Sequence, residues 1–246
     1  WIPEFAPHLV PYVGQLAAAE RRRFYPVLME KARYNGRLYG LVWATSTKAL
    51  FYRQDLFRQA SIKPPRTWDD LLAAARRLHR PPQIYGIGIP AKLDYDTTDN
   101  FYFFLWSAGG DFFDEQGRVA LDSELAVACM QWYSDLYLRH RLTQPCPTAW
   151  HRNECQRLFE DGRLAMFETG PWAVAALAKH NPGLQYAVAP LPVAPKSLPL
   201  RVGEKVRRIP TRPRRITQVI TDHLMLMSYS KNKQAALEFI RFAYQR

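Results

Sequence analysis

The sequence of 246 residues lacks the patterns on which most cofactor and catalytic chemistry depends. It contains no P-loop, no G-x-G-x-x-G, no H-E-x-x-H and no G-x-S-x-G. Its six histidines are scattered, and none is spaced from another histidine or an acid as a deliberate pair of metal ligands would be. His151 and Glu154 lie three residues apart, which we interpret as an exposed polar helix face. We therefore expect no enzymatic activity, no cofactor and no metal site.

Long apolar runs and paired cysteines are also missing. No apolar stretch approaches the roughly 20 residues that a membrane helix needs. The three cysteines, Cys129, Cys146 and Cys155, show no metal-ligand spacing. One disulfide with a free thiol is an option, and three unpaired thiols is the interpretation that we favour. The sequence begins at Trp1 without a signal peptide, for which processing, a trimmed chain and a fragment are the open explanations.

Positive charge is concentrated in one segment. Residues 196–218 contain eight basic residues and one acid, so this segment carries +7 of the formal net charge of +12. It has no periodicity and is rich in proline, which predicts an exposed, mobile loop. Because no aromatic residues lie among its cations, it offers phosphate contacts without base readout, and we expect no nucleic-acid partner. A solvated loop, or one near anionic lipid head groups, is the favoured interpretation.

Elsewhere strand and helix patterns alternate, which predicts an α/β chain with mainly parallel sheets and no internal repeat. Thr67 is the expected N-cap of a helix, with Asp70 reaching back to it. Residues 1–14 are expected to form a loop. The predicted strands are 38–43, 49–52, 84–89, 164–167, 186–189 and 223–227. The predicted helices include 15–33, 98–108, 123–139, 151–160 and 232–244, with further helices beginning near residues 55, 67 and 172.

Aromatic and polar side chains alternate at several junctions between loops and helices. Trp172 follows Gly170 and Pro171 at a strand-to-helix corner, where glycine permits close approach and proline suits the first helical turn. A tryptophan there is either a core residue or a stacking platform for a flat ligand such as a sugar ring. Other aromatic and polar residues of this set are Trp43, Tyr95, Phe101, Tyr102, Trp106, Thr45, Ser46, Asp99, Asn100, Glu168 and Asp222. The combination suits a neutral polyhydroxylated ligand.

Six segments recur in an order and spacing that resemble one protein family. They are YNGRLYGLVWATSTKALFYRQDLF, IKPPRTWDDLLAAARRL, FLWSAGGDFFD, LFEDGRLAMFETGPWAVAAL, YAVAPLP and DHLMLMSYSKNKQAALEFIRF. Together they resemble the extracellular solute-binding proteins of ABC transporters, in the carbohydrate-binding group that includes maltose-binding protein. The resemblance covers essentially the whole chain apart from residues 196–218.

This resemblance implies a two-lobed, periplasmic-binding-protein-like (type II) α/β fold that closes on its ligand by hinge motion. Residues 1–44 and 221–246 would form a partial N-lobe, and residues 45–220 would form most of the C-lobe. Such a protein binds a sugar or related polyol and delivers it to the membrane permease of an ABC importer. A monomer in the periplasm or outside the cell is implied, with a lipid anchor as a further option.

The resemblance also assigns ligand contacts. Trp172 in the sequence TGPW matches the family's stacking tryptophan. Ser46, with Thr45 beside it, lies at the first crossing between lobes, and Asp222 lies at the return strand. Residues 100–102 precede the AGG turn, where aromatic contacts are usual.

The sequence departs from the family pattern at three places. Family members extend further at both ends, Ile220 and Thr221 stand where Gly-Gly is usual, and the basic segment replaces a short connection. The alternatives left open are a truncated, non-functional remnant, a binder of a phosphorylated polyol, and a nucleic-acid binder that uses residues 196–218.

Overall fold

The computed structural model describes residues 2–12 and 25–244. Its contacts divide the chain into two units, which we call unit 1 (residues 1–46 and 219–246) and unit 2 (residues 47–218). The chain therefore leaves unit 1 once and returns to it once. The assignment of these units to a partial N-lobe and a C-lobe stays a prediction.

The described elements do not alternate strictly between helix and strand, because a run of four strands is followed by a run of five α-helices. In chain order they are α1 (Ile2–Phe5), α2 (Pro26–Glu30), β1 (Arg33–Tyr34), β2 (Arg37–Leu38), β3 (Gly40–Thr47), β4 (Ala49–Arg53), α3 (Gln54–Gln59), α4 (Trp68–Leu78), α5 (Tyr95–Ser107), α6 (Glu124–Leu138), α7 (Arg152–Glu160), β5 (Met166–Thr169), α8 (Trp172–His180), β6 (Tyr186–Ala189), β7 (Ser197–Val202), β8 (Lys205–Pro210), β9 (Val219–Met225) and α9 (Lys233–Tyr244). Short 3₁₀ turns span Ala6–His8 and Pro147–Ala149.

The central sheet of unit 2 has the strand order β5-β4-β6, and both pairings are antiparallel. Phe51 of β4 lies opposite Phe167 on one side and Val188 on the other. The β1–β2 and β7–β8 pairs are antiparallel as well. The prediction of mainly parallel sheets is therefore wrong for these four strand pairs. Residues 50–52 of β4 are buried. Leu50 and Tyr52 pack in one apolar cluster and Phe51 packs in another, so both faces of the strand are covered.

Aromatic residues fill the core between the helices of unit 2. Trp68 is fully buried, and its ring centroid lies 5.2 Å from that of Phe104 and 4.7 Å from that of Trp132. These three rings come from α4, α5 and α6, so the helices pack through aromatic contacts. The three cysteines are free, as favoured, with Cys129 and Cys155 buried and Cys146 exposed.

Residues 84–89, predicted as a strand, form no regular strand. They form isolated bridges and pair irregularly: the Gly88 amide donates to the Met166 carbonyl, and the Gly86 amide donates to the Leu142 carbonyl. A Cβ on Gly86 would lie 2.5 Å from the carbonyl oxygen of Ala75, so this segment follows α4 too closely for a larger residue.

The N-terminal predictions hold only in part. Residues 2–8, expected in a loop, form α1 and a 3₁₀ turn whose residues Ile2 and Ala6 are buried. Of the helix expected over 15–33, residues 15–24 lie outside the described residues, and 26–30 are helical. Arg33 instead belongs to β1, which turns back into β2.

The basic segment is the largest departure from the sequence prediction. Residues 197–210 form an antiparallel hairpin of β7 and β8 rather than a mobile loop. Leu198, Leu200 and Ile209 are buried and hold the hairpin on unit 2. Apolar residues at alternate positions anchor this ladder, a signal that the density of charge and proline obscures.

The predicted cap of α4 is present. The Thr67 hydroxyl accepts the Asp70 amide at 3.1 Å, and the Asp70 carboxylate accepts the Thr67 amide at 3.0 Å. We expect Thr67→Ala to lower the free energy of unfolding by about 1 kcal/mol, because one helix amide loses its partner. Urea unfolding followed by circular dichroism measures this. Thr148→Ala, at an exposed position, is the control and should change stability by less than about 0.5 kcal/mol; equal effects would contradict the cap's importance.

Candidate functional site in unit 2

The strand-to-helix corner at Gly170 places a tryptophan partly in solvent. Strand β5 is buried throughout, and α8 begins at Trp172 directly after Pro171. A Cβ on Gly170 would lie 2.2 Å from the Trp172 ring, so the ring packs directly against the glycine backbone. The corner therefore fixes a half-buried indole, because only glycine leaves room for the ring.

Helix α7 holds this indole in place. The Trp172 Nε1 donates to the Gln156 Oε1 at 3.0 Å, and the Arg152 guanidinium carbon lies 5.0 Å from the ring centroid. Arg152 Nη1 also donates to the same Gln156 oxygen at 2.9 Å. The indole thus has a hydrogen bond at its edge and a cation on one face, which restrict its rotation.

Acidic residues at the start of α5 complete the polar surroundings. Arg152 Nε lies 3.4 Å from an Asp96 carboxylate oxygen. Asp94 caps α5 by accepting the Thr97 amide at 3.0 Å, and its other oxygen contacts His151 Nδ1. Burial opposes ionisation of Asp94, but the contact with His151 and the Thr97 amide outweigh it and lower the pKa of this carboxyl. His151, predicted to belong to an exposed polar face of a helix, therefore also contacts the residue that caps α5.

The three residues of α5 that were predicted to contact the ligand differ in how deeply they are buried. Asn100 and Phe101 are buried, with 3% and 5% of their surfaces exposed, and Phe101 packs in the core near Phe112 and Tyr133. Tyr102 is half-buried, and its ring lies 4.0 Å from that of Phe112. Of the three, Tyr102 alone presents substantial surface to solvent, since successive residues of a helix point in different directions.

The remaining predicted contacts belong to unit 1. Trp43 is 54% exposed on β3, and Asp222 is exposed on β9. Thr45 is exposed and donates its hydroxyl to the Ile220 carbonyl at 3.2 Å, while Ser46 is half-buried. The Thr45 hydrogen bond links β3 with β9, which lie side by side in one sheet.

A cluster of buried charged side chains lies where the first and last residues of unit 2 meet. Lys48 Nζ is 3.7 Å from a carboxylate oxygen of Asp99 and 3.7 Å from one of Glu168. Gln218 Nε2 donates to the second Asp99 oxygen at 2.9 Å, and the Thr217 hydroxyl donates to the Lys48 carbonyl at 2.6 Å. The two ends of unit 2 are therefore joined to each other, to α5 and to β5.

Two carboxylates share one cation in this cluster. Burial raises the pKa of Glu168 to about 7, with the Lys48 ammonium opposing the shift and the Asp99 carboxylate adding to it. Glu168 lies two residues before Gly170 on the same strand. Its protonation state therefore bears on the segment that carries Trp172.

Sequence reasoning missed Arg152, Gln156 and Lys48. The first two are one helical turn apart, and their i, i+4 spacing on the amphipathic α7 was an available signal. Lys48 has a weaker signal, a single charge directly before the apolar run of β4. Among residues 2–12 and 25–244 no group of three or more His, Cys, Asp or Glu side chains is placed to hold a metal ion.

The geometry of unit 2 thus gives an oriented indole beside hydrogen-bonding groups. The chain belongs to the bacterial extracellular solute-binding protein family, whose model matches residues 3–246. This confirms the resemblance drawn from the sequence. No helix in the described ranges has the length and apolarity to cross a membrane.

Individual relatives give the same result. A binding protein of Brucella abortus (strain 2308) is 28% identical over 250 residues, which cover 100% of this chain and 56% of the relative. The maltose-bound MalE3 of T. maritima superposes with a TM-score of 0.84 and 29% identity, covering 98% of this chain and 59% of that one. An ABC transporter solute-binding protein from Thermotoga lettingae, bound with α-D-tagatose, superposes with a TM-score of 0.84 and 26% identity, covering 99% and 60%. The likeness confirms the expected fold class, and the chain spans less than two thirds of each of these relatives.

The fit of Trp172 over Gly170 predicts a sharp effect of one methyl group. Gly170→Ala should lower the free energy of unfolding by about 1–3 kcal/mol, because the added carbon overlaps the ring. Thermal or urea unfolding measures the change. Gly183→Ala is the matched control, since its added carbon would meet only the Asn181 side-chain oxygen, at 4.0 Å; an equal loss in both variants would disprove the tight packing.

The raised pKa of Glu168 predicts a pH dependence of stability. The folded state keeps the Glu168 proton up to a pH of about 7, whereas the unfolded chain releases it near 4.5, the ordinary pKa of a glutamate side chain. Stability contributed by this residue is therefore full below pH 4.5 and falls as the pH rises towards 7, by at most about 3 kcal/mol.

Unfolding free energies at several pH values between about 4 and 8 measure this contribution as the difference between the parent and Glu168→Gln. The difference should change with pH, because glutamine does not titrate. Glu115→Gln, an exposed position in a turn, is the control and should follow the parent at every pH. A parent and a Glu168→Gln variant with parallel profiles would contradict the assignment.

Proposed function

We propose that this chain binds a neutral sugar or related polyol and delivers it to the permease of an ABC importer. The observation that carries the proposal is the Trp172 indole, half-buried and held by Gln156 and Arg152 at the start of α8. An aromatic face suits the C–H side of a sugar ring, and nearby carboxylates and amides suit its hydroxyls. The relatives bound with maltose and tagatose support this ligand class.

The charges around Trp172 favour a neutral ligand over a phosphorylated one. Arg152 is already engaged by Asp96 and Gln156, and Arg157 lies between Glu160 and Asp161. A phosphate would have to displace these acids before meeting either cation, which costs electrostatic energy. Hydroxyl groups of a polyol can instead donate to the acids and accept from the guanidinium.

The proposed ligand contacts lie in both units. In unit 2 they are Trp172, Gly170 and Tyr102, with Asn100 and Phe101 as buried supports. In unit 1 they are Trp43, Thr45, Ser46 and Asp222. Delivery to a permease, action as a monomer and a location in the periplasm or outside the cell are part of the same proposal, and they apply to a chain that spans 56% of its Brucella relative.

Calorimetric titration of the chain with maltose, D-tagatose, further mono- and disaccharides and glycerol 3-phosphate tests the proposal. We expect saturable heat with a neutral sugar, and an affinity lowered at least about tenfold by Trp172→Ala, because a buried aromatic contact is lost. Calorimetry is preferred to fluorescence here because the substitution removes the reporting indole itself.

Tyr229→Ala, which removes an exposed aromatic side chain of unit 1, is the control and should leave the affinity unchanged. No heat with any sugar from a chain shown to be folded by circular dichroism would favour the truncated, non-functional alternative. Binding of glycerol 3-phosphate alone would favour the phosphorylated ligand class.

A further inference from the structure

The basic segment contains an ordered antiparallel hairpin. β7 and β8 pair through six residue pairs, from Ser197 with Pro210 to Val202 with Lys205. Gly203 has a positive φ of 58° at the first turn position, as a type II′ hairpin requires. We call residues 196–215 the basic hairpin.

Hydrogen bonds to its backbone fix the basic hairpin on unit 2. The Gln131 side chain of α6 bonds both the amide and the carbonyl of Arg201, at 2.9 and 2.7 Å. After β8, the Arg212 and Arg214 amides donate to the Ala108 and Ser107 carbonyls at 2.8 and 2.9 Å. These hydrogen bonds attach the segment after β8 to the end of α5. Because the backbone is already held, binding through its side chains costs little further conformational entropy.

Few acids neutralise this surface. Arg201 pairs with Asp135, and Arg207 pairs with Glu124, while Glu204 at the turn is the segment's single acid. Within the described part of the chain, six exposed cations of the basic hairpin have no acidic partner within salt-bridge distance. They are Lys196, Lys205, Arg208, Arg212, Arg214 and Arg215, and the Arg208 guanidinium donates to Ser197 instead.

We propose that the basic hairpin docks on the surface of an anionic lipid bilayer. Its six-residue strands extend roughly 20 Å, so the cations cover an area that one small anion cannot contact but many head groups can. Val202 and Val206 flank the turn and are 60% and 61% exposed, next to Lys205. Apolar side chains beside cations are what an anionic bilayer interface favours.

Nucleic acid is the less suitable occupant. The basic hairpin contains no aromatic side chain, so it offers no stacking platform for bases. The docking proposal also uses none of the residues proposed to contact a sugar. Its failure would therefore leave the sugar proposal untouched, and the reverse also holds.

Vesicle flotation with the full chain tests the docking proposal. Vesicles of phosphatidylglycerol and phosphatidylcholine should carry the chain at low salt, and pure phosphatidylcholine vesicles should not. The variant Lys205→Gln/Arg214→Gln/Arg215→Gln should bind roughly tenfold to a hundredfold more weakly, because three cations near the surface are lost. Raising the salt concentration should weaken binding of the parent.

The control variant, Arg58→Gln/Lys63→Gln/Arg77→Gln, removes the same number of exposed cations elsewhere on unit 2. It should bind as the parent does. Circular dichroism of both variants checks their folding. No binding to anionic vesicles, or equal losses in the two variants, would overturn the proposal. Tighter binding to a short DNA duplex than to vesicles at equal phosphate concentration would overturn it in favour of nucleic acid.

Discussion

The buried ammonium of Lys48 is the constraint on which the rest of unit 2 depends. It lies one residue inside the point where the chain enters unit 2, between carboxylates of α5 and β5. Asp99, one of these carboxylates, also accepts from Gln218, the last residue before the chain leaves. Removing the cation would leave two buried carboxyl groups without a counter-charge, which costs several kcal/mol, whereas the intact cluster is worth much less to stability. What the contacts show is that the first and last residues of unit 2 are joined within it.

The same cluster is connected to the candidate site through two short paths. Along β5, Glu168 precedes Gly170 by two residues, and the ring of Trp172 packs on that glycine. Along α5, Asp99 follows Asp96 by three residues, about one turn, and Asp96 pairs with Arg152 over the indole. The charge cluster and the indole thus share two rigid elements. A change in the protonation of Glu168 acts on the strand that leads into the proposed ligand contact.

Local signals in the sequence predicted much of this architecture. Thr67 and Ser123 mark the starts of α4 and α6, and the corner at Trp172 follows from glycine and proline chemistry. What failed depends on partners distant in sequence. Residues 84–89 read as a strand, yet their amides bond a neighbouring loop and β5 irregularly. The burial of Lys48 could not be predicted because both acids that pair with it lie at least 51 positions away along the chain. The hairpin was missed because its many charged residues and prolines are typical of a loop.

Charge placement separates the two proposed surfaces. Arg152, the cation over the Trp172 ring, is matched by Asp96. Arg157, further along α7, is matched by Glu160 and Asp161. On the basic hairpin most cations are unmatched, so that segment holds more than half of the formal net charge. The strongly basic character of the chain is therefore no argument for an anionic solute at Trp172.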